Sequence, residues 1–165
     1  MNLQQYKNTQ PQISKRSLCI LIRDKKVLLA QKLKGFGQGY YTGVGGKLEP
    51  GETVEQAAIR ETQEEIGITP TTYKKVAIIN FYFPDKPEWN QETHCFIVTG
   101  WQGQTRKSAE MAPQWFAFDI IPYDRMWEDA VCWLPEILRG EQIIADILYK
   151  GTQRVVEFSI SRATP

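Results

Sequence analysis

Residues 45–68 read GGKLEPGETVEQAAIRETQEEIGI. Glu49-Pro50-Gly51-Glu52 has Pro and Gly where a type II turn wants them, so the chain is expected to reverse just before a helix begins. Thr53 to Ile66 contains no Gly or Pro and is rich in helix formers. Thr53 and Gln56 have the spacing of a capping box, and Gly67 suits the position just past the helix end. At about 100° per residue, Glu61, Glu64 and Glu65 fall within an arc of roughly 100° on one side of that helix. Ala58, Ile59, Thr62 and Ile66 fill the neighbouring arc, which would pack on a sheet and hold the acidic face beside it.

An acidic face on a Glu-rich helix is ordinarily solvated. Here like charges three and four residues apart cost on the order of 0.2 to 0.5 kcal/mol per pair, and no Lys lies in the helix to offset them. A cationic partner is therefore expected. Clustered carboxylates, with one histidine in the whole chain and no paired cysteines, favour magnesium or manganese over zinc. A diphosphate would complete the coordination.

Outward from this segment the pattern is mixed. SLCILIR from Ser17 and VLLAQ, separated by Asp24-Lys25-Lys26, read as a buried hairpin, and KLKGFGQGYYTGVGG as a glycine-rich loop around one short strand. KVAIINFYF and THCFIVTGW have strand composition, with FPDKPEW as the turn between them. A further strand is expected at Gln114 to Phe118, a second helix at Val131 to Arg139, and a terminal hairpin of IIADILYK and VVEFSIS across Gly151-Thr152. Mixed α and β with antiparallel pairs dominating is the expected class. Residues 14–165 are expected to form a single domain, and the Gln- and Asn-rich residues 1–13 a flexible arm.

The 165 residues carry a formal charge of +1, from 20 basic and 19 acidic side chains, which offers no field to gather a nucleic acid polymer. A small anionic ligand fits better. No apolar stretch reaches the length of a membrane span, and the first residues lack a signal peptide's apolar core. Cys19, Cys95 and Cys132 are widely spaced in apolar runs, which points to a reduced, cytoplasmic protein. His94 reads as a structural strand residue.

The glycines and acids match the Nudix signature G-x5-E-x7-R-E-U-x-E-E-x-G-U at every fixed position: Gly46, Glu52, Arg60, Glu61, Glu64, Glu65 and Gly67. Thr62 is the one loose fit in a hydrophobic slot. The resemblance implies an α-β-α sandwich (α/β, or α+β) with a mixed, largely antiparallel sheet. It further implies metal binding by Glu64 and Glu65, with the Gly45 carbonyl and Glu61 nearby, and a water-activating role for Glu61. Arg60 is expected to pair with Glu52, and Lys47 to touch the departing phosphates.

From roughly Leu28 through Phe158 the chain also resembles the oxidised-purine nucleoside triphosphatases, the 8-oxo-dGTP diphosphatase group, through KGFGQGYYTGVGGK, SAEMAPQWF and IPYDRMWEDAVCWLP. This implies a base pocket with Phe36 and Trp127, lined by Phe81 and Phe83, with Lys32, Gly46 and Lys47 also on the substrate, and Glu110 as an added carboxylate. Two positions depart from the group. Asp129 retains the first of two aspartates and Ala130 replaces the second, while Thr42 replaces an asparagine. Each change removes hydrogen-bonding capacity at the base. The implied activity is magnesium-dependent cleavage of oxidised purine triphosphates to monophosphate and pyrophosphate in nucleotide-pool sanitation, by a monomer or weak dimer. Hydrolysis of ADP-ribose or another nucleoside diphosphate, and a non-catalytic nucleotide-binding domain, stand as alternatives.

Overall fold

The computed structural model describes residues 1–165. Its strands are β1 (Ser14–Arg23), β2 (Lys26–Lys32), β3 (Tyr41–Thr42), β4 (Val44–Lys47), β5 (Thr69–Tyr82), β6 (Gln91–Gln102), β7 (Met111–Ala117), β8 (Ile143–Lys150) and β9 (Arg154–Arg162). The helices are α1 (Leu3–Asn8), α2 (Val54–Ile66) and α3 (Ala130–Leu138). All nine strands join one sheet in the order β3-β2-β1-β6-β5-β8-β9, with β4 paired to β1 and β7 to β2. Only β1 with β6 and β5 with β8 are parallel; every other pair is antiparallel. No helix is long and apolar enough to cross a membrane.

Two apolar cores lie on opposite faces of the sheet and give it the layered form the resemblance implies. On one face Val54, Ala58 and Ile66 of α2 pack with Cys19, Leu21, Leu28 and Phe96. On the other, Ala130, Trp133, Leu134 and Ile137 of α3 pack with Ile20, Leu29, Ile79 and Ile147. Alternation along β1 decides the sides, because successive side chains of a strand point to opposite faces.

Helix α2 begins and ends where its capping residues direct. The Thr53 side chain accepts from the Gln56 N–H, the Gln56 side chain returns to the Thr53 N–H, and Gly67 closes the helix at φ 78°. The buried stripe runs through Val54, Ala58, Thr62 and Ile66, with Ala57 beside it. Ile59, expected in that stripe, is only half-buried; it lies on the flank of the stripe opposite to the buried Ala57. Thr62 is fully buried and its hydroxyl donates to the Ala58 carbonyl at 2.6 Å, so a polar residue sits in the apolar slot without an unmet hydrogen bond.

Glycines bring β4 against β1. A Cβ on Gly45 would lie 2.0 Å from the Ser17 carbonyl oxygen, which excludes any side chain there. The short pairing segment therefore runs from β2 to β1 through Tyr41–Lys47 and delivers the following turn to α2. Strand and helix limits differ modestly from expectation: β7 starts at Met111, and α3 is displaced by one residue.

The N-terminal arm requires a correction. Residues 3–8 form α1, with a capping box between Asn2 and Gln5, and Leu3 and Tyr6 are buried against Tyr82 and Leu148. Polar composition hid two apolar residues three apart, which is enough to dock one and a half turns of helix. Lys7 adds an ion pair to Asp146 at 2.5 Å. The Tyr6 hydroxyl accepts from the buried Asn90 amide at 3.0 Å, and Asn90 in turn accepts from the Phe83 N–H at 2.7 Å. Tyr6→Ala is expected to lower stability by about 3 kcal/mol, or roughly 6 to 12 °C in Tm, as for other aromatic truncations in a packed site. Thermal unfolding checks this; an unchanged Tm would return residues 1–13 to a loose arm.

Candidate active site

The brace of the site is Arg60. Its guanidinium donates through Nε and Nη2 to the two oxygens of Glu52, at 2.7 and 2.9 Å, and through Nη2 to the Lys47 carbonyl at 3.1 Å. Nη1 reaches Glu61 at 3.0 Å and Glu64 at 3.2 Å. The bidentate pair holds Glu52 down to about 2, chiefly through the Arg60 hydrogen bond. Arg60 thus ties the turn to the helix, as expected, and also offsets the like charges that the absence of lysine left unexplained.

The three helix carboxylates have different surroundings. Glu64 is largely exposed, while Glu61 lies close to the glycine strand, where a Cβ on Gly46 would fall 2.7 Å from its Oε1. Glu65 is half-buried, with one carboxylate oxygen enclosed. Burial, followed by the charge of Glu61, pushes it up to about 8, against the lowering effect of a hydrogen bond from the Gly45 backbone; Glu110 adds a smaller upward push. Glu65 Oε2 is buried without a hydrogen-bond partner.

No three His, Cys, Asp or Glu side chains converge as a ready-made metal cage, because Glu61 and Glu64 turn toward Arg60 and Glu65 toward Gly45. The donor set nonetheless fits a hard cation. It consists only of oxygens, and the orphaned Glu65 oxygen beside two further carboxylates lacks a positive partner.

A cavity of about 820 Å³ extends from this acidic end to an aromatic end, a size suited to a small organic ligand. Of the residues expected on substrate or metal, Lys32, Phe36, Thr42, Gly45, Gly46, Glu65, Phe81, Phe83, Glu110, Trp127 and Asp129 all line it. Arg60, Glu61 and Glu64 do not line it, although Glu61 borders the lining residue Gly46, and neither does Lys47, which is exposed.

Phe36 stacks on Trp127 with ring centroids 5.3 Å apart and touches Trp89 edge-on at 4.9 Å. Phe83, which lies just past β5, stacks on Tyr149 at 4.6 Å, and both are buried; Phe81 is half-buried. Asp129 is buried at the start of α3, where its carboxylate accepts from the Trp133 indole at 2.7 Å and from the Tyr149 hydroxyl. Burial still pushes its pKa up, despite these two bonds. Asp129 is therefore a fixed part of the cavity wall, more constrained than the free hydrogen-bonding carboxyl expected from the sequence.

Reading the sequence missed Arg16, Trp89, Gln91, Thr93, Trp133 and Tyr149, all of which line the cavity. Arg16 left a signal, being a charged residue two positions before Leu18 and on the same strand face as Leu18 and Ile20. The others come from distant segments that only the sheet order brings together. His94 is a buried strand residue paired with Glu92 at 2.6 Å, and all three cysteines are free.

Comparison with known proteins agrees with this architecture. The NUDIX domain family matches residues 14–137. Among curated proteins the chain is 38% identical over 144 residues to an oxidized purine nucleoside triphosphate hydrolase of Danio rerio, covering 87% of this chain and 92% of that protein. It is 35% identical to the protein of that name from Mus musculus, with the same coverage. The solved structure of a MutT protein from Bacillus halodurans superposes with a TM-score of 0.80 at 22% identity, covering 90% of this chain and 97% of that one, and supports the fold. The signature loop and helix, the two-faced sheet and these matches together make the chain a member of the Nudix hydrolase superfamily.

Proposed function

We propose that the chain is a magnesium-dependent pyrophosphohydrolase of oxidised purine nucleoside triphosphates, 8-oxo-dGTP being the type substrate, and that it serves to cleanse the nucleotide pool. The observation that carries this reading is the single cavity that joins the Gly45–Glu65–Glu110 end to the Phe36–Trp127 end. Similarity to the named zebrafish and mouse hydrolases supports it.

Glu61, Glu64 and Glu65, with the Gly45 carbonyl and Glu110, would hold a hard divalent cation, magnesium or manganese. That ion supplies neutralisation of phosphate charge and acidifies water. Water attacks a phosphorus of the triphosphate, the bond to the bridging oxygen breaks, and nucleoside monophosphate and pyrophosphate leave. Glu61 accepts the proton lost by the water, and Arg60 holds its carboxylate in place. Lys32 on the cavity wall, and Lys47 at its rim, offset phosphate charge. Gly46 lets backbone approach the phosphates, and Phe36, Trp127, Phe81 and Phe83 enclose the base, whose edge faces Thr42 and Asp129.

A substrate panel of 8-oxo-dGTP, dGTP, oxidised dATP and ADP-ribose, compared by kcat/KM, tests the assignment; preference for ADP-ribose would reverse it. Glu65→Gln should lower kcat at least about a hundredfold, since loss of metal-based charge stabilisation is worth several kcal/mol. A loss under about fivefold would mean that this carboxylate is not at the chemistry.

The raised Glu65 gives a test in the absence of turnover. In the metal-free protein the proton is held more tightly folded than unfolded. Its contribution to stability is complete below the ordinary carboxylate range and is lost as pH rises through about 8. A cation taking that carboxylate must displace the proton. Calorimetric titration of magnesium in buffers of different ionisation heat should therefore show about one proton released at neutral pH and almost none well above pH 8. Proton release independent of pH would remove Glu65 from the cation site.

Trp127→Ala should raise KM for nucleoside triphosphates by roughly five- to a hundredfold, the loss of about 1 to 3 kcal/mol of base stacking. Steady-state kinetics reads this directly, and an unchanged KM would move the base elsewhere.

A further inference from the structure

Arg16 is a half-buried residue of the cavity lining whose side chain makes no hydrogen bond or ion pair. It stands on β1 opposite Lys47 of β4 on one side and Thr93 of β6 on the other, and it lines the cavity together with Thr93. Its Nε is buried and makes no hydrogen bond. The acid that acts on it is Glu61, which is committed to Arg60 at 3.0 Å and reaches Arg16 only through charge attraction, without an ion pair. Burial is the larger influence on this guanidinium and works against its charge. Because arginine does not give up its proton in proteins, the charge stays, and its desolvation is offset only in part by Glu61.

The sheet order shows what anion the position suits. From β4 through β1 and β6 to β5, Arg16 is one strand from Gly45 and Gly46 and two from Phe81. Arg16 aligns through Thr93 with Ile79, two residues from Phe81, so with strands about 4.8 Å apart it lies one strand from the glycines and about 12 Å from Phe81. A ligand with its base among the aromatic rings and its terminal phosphates at the acids would put the phosphate next to its sugar over Arg16. A guanidinium offers that phosphate two parallel N–H donors, a geometry an ammonium lacks.

We propose that Arg16 is a substrate-binding residue whose cavity-facing guanidinium pairs with the nucleoside-proximal phosphate of the bound nucleotide. This rests on the nucleotide reading above and adds a cation that the signature does not contain. It also assigns Arg16 a division of labour with Lys32: the lysine screens charge as a point cation, and the arginine fixes where the phosphate chain joins the nucleoside.

The experiment compares a purine nucleoside monophosphate with its parent nucleoside by calorimetric titration in EDTA, so that no cation contributes. Wild type, Arg16→Gln and Arg16→Lys are titrated, and each is melted without ligand. Wild type should bind the monophosphate at least about tenfold more tightly than the nucleoside, the scale of hydrogen bonds to a charged group. Arg16→Gln should abolish that advantage and leave nucleoside affinity within about twofold of wild type, while Arg16→Lys keeps part of it. The ligand-free Tm of Arg16→Gln should be no lower than wild type, since a half-buried charge without a direct ion pair has been removed. A lowered Tm with equal loss of both ligands would make Arg16 a structural brace and overturn the proposal. So would an undiminished phosphate advantage in Arg16→Gln. Equal binding of both ligands by wild type would overturn the role of Arg16 while leaving the nucleotide reading standing, whereas binding of neither would sink both.

Discussion

The Arg60 guanidinium is the contact on which the site depends. One planar group holds both oxygens of Glu52, the Lys47 carbonyl and the carboxylates of Glu61 and Glu64. A lysine could not satisfy that set, because a compact ammonium cannot make the parallel pair to Glu52 while reaching acids on the next turn. Through this one side chain the turn after β4, the start of α2 and the acidic face share a single geometry. The close approach of Gly45 to β1 completes the arrangement by anchoring the other end of the loop.

Much of the fold was legible because its signals are local. The capping box, the type II turn and the glycine past Ile66 each lie within a few residues, so α2 could be bounded to one residue. Apolar runs and strand composition located most of the strands for the same reason. Local signals failed where tertiary contact supplied the stability. Helix α1 is too short to persist alone and exists because Leu3 and Tyr6 meet Tyr82 and Leu148.

The candidate site divided along the same line. Its signature part was readable because the spacing of one helix and one turn determines which carboxylates sit together. The cavity walls were not, since Thr93, Trp133 and Tyr149 belong to three elements whose adjacency depends on sheet order. Resemblance named Asp129, yet only the packed structure reveals that Trp133 and Tyr149 already occupy its oxygens. A residue's identity in a motif does not disclose how much of its hydrogen-bonding capacity its own fold has used.

The parallel pairing of β1 with β6 carries a consequence for the order in which the molecule assembles. Ser14 pairs with Gln91, and everything between them, including the entire signature loop and helix, lies inside the excursion that this pairing closes. The pairing of β5 with β8 closes a second long excursion around α3. Closing such loops costs chain entropy before the contacts they permit can form, which puts the protein among slowly folding, non-local topologies. During synthesis the signature segment emerges well before the strand that locks its platform. The nascent chain therefore exposes the acidic helix and the apolar faces of β1 and β2 until β6 arrives, and its period of greatest vulnerability to aggregation falls in that interval.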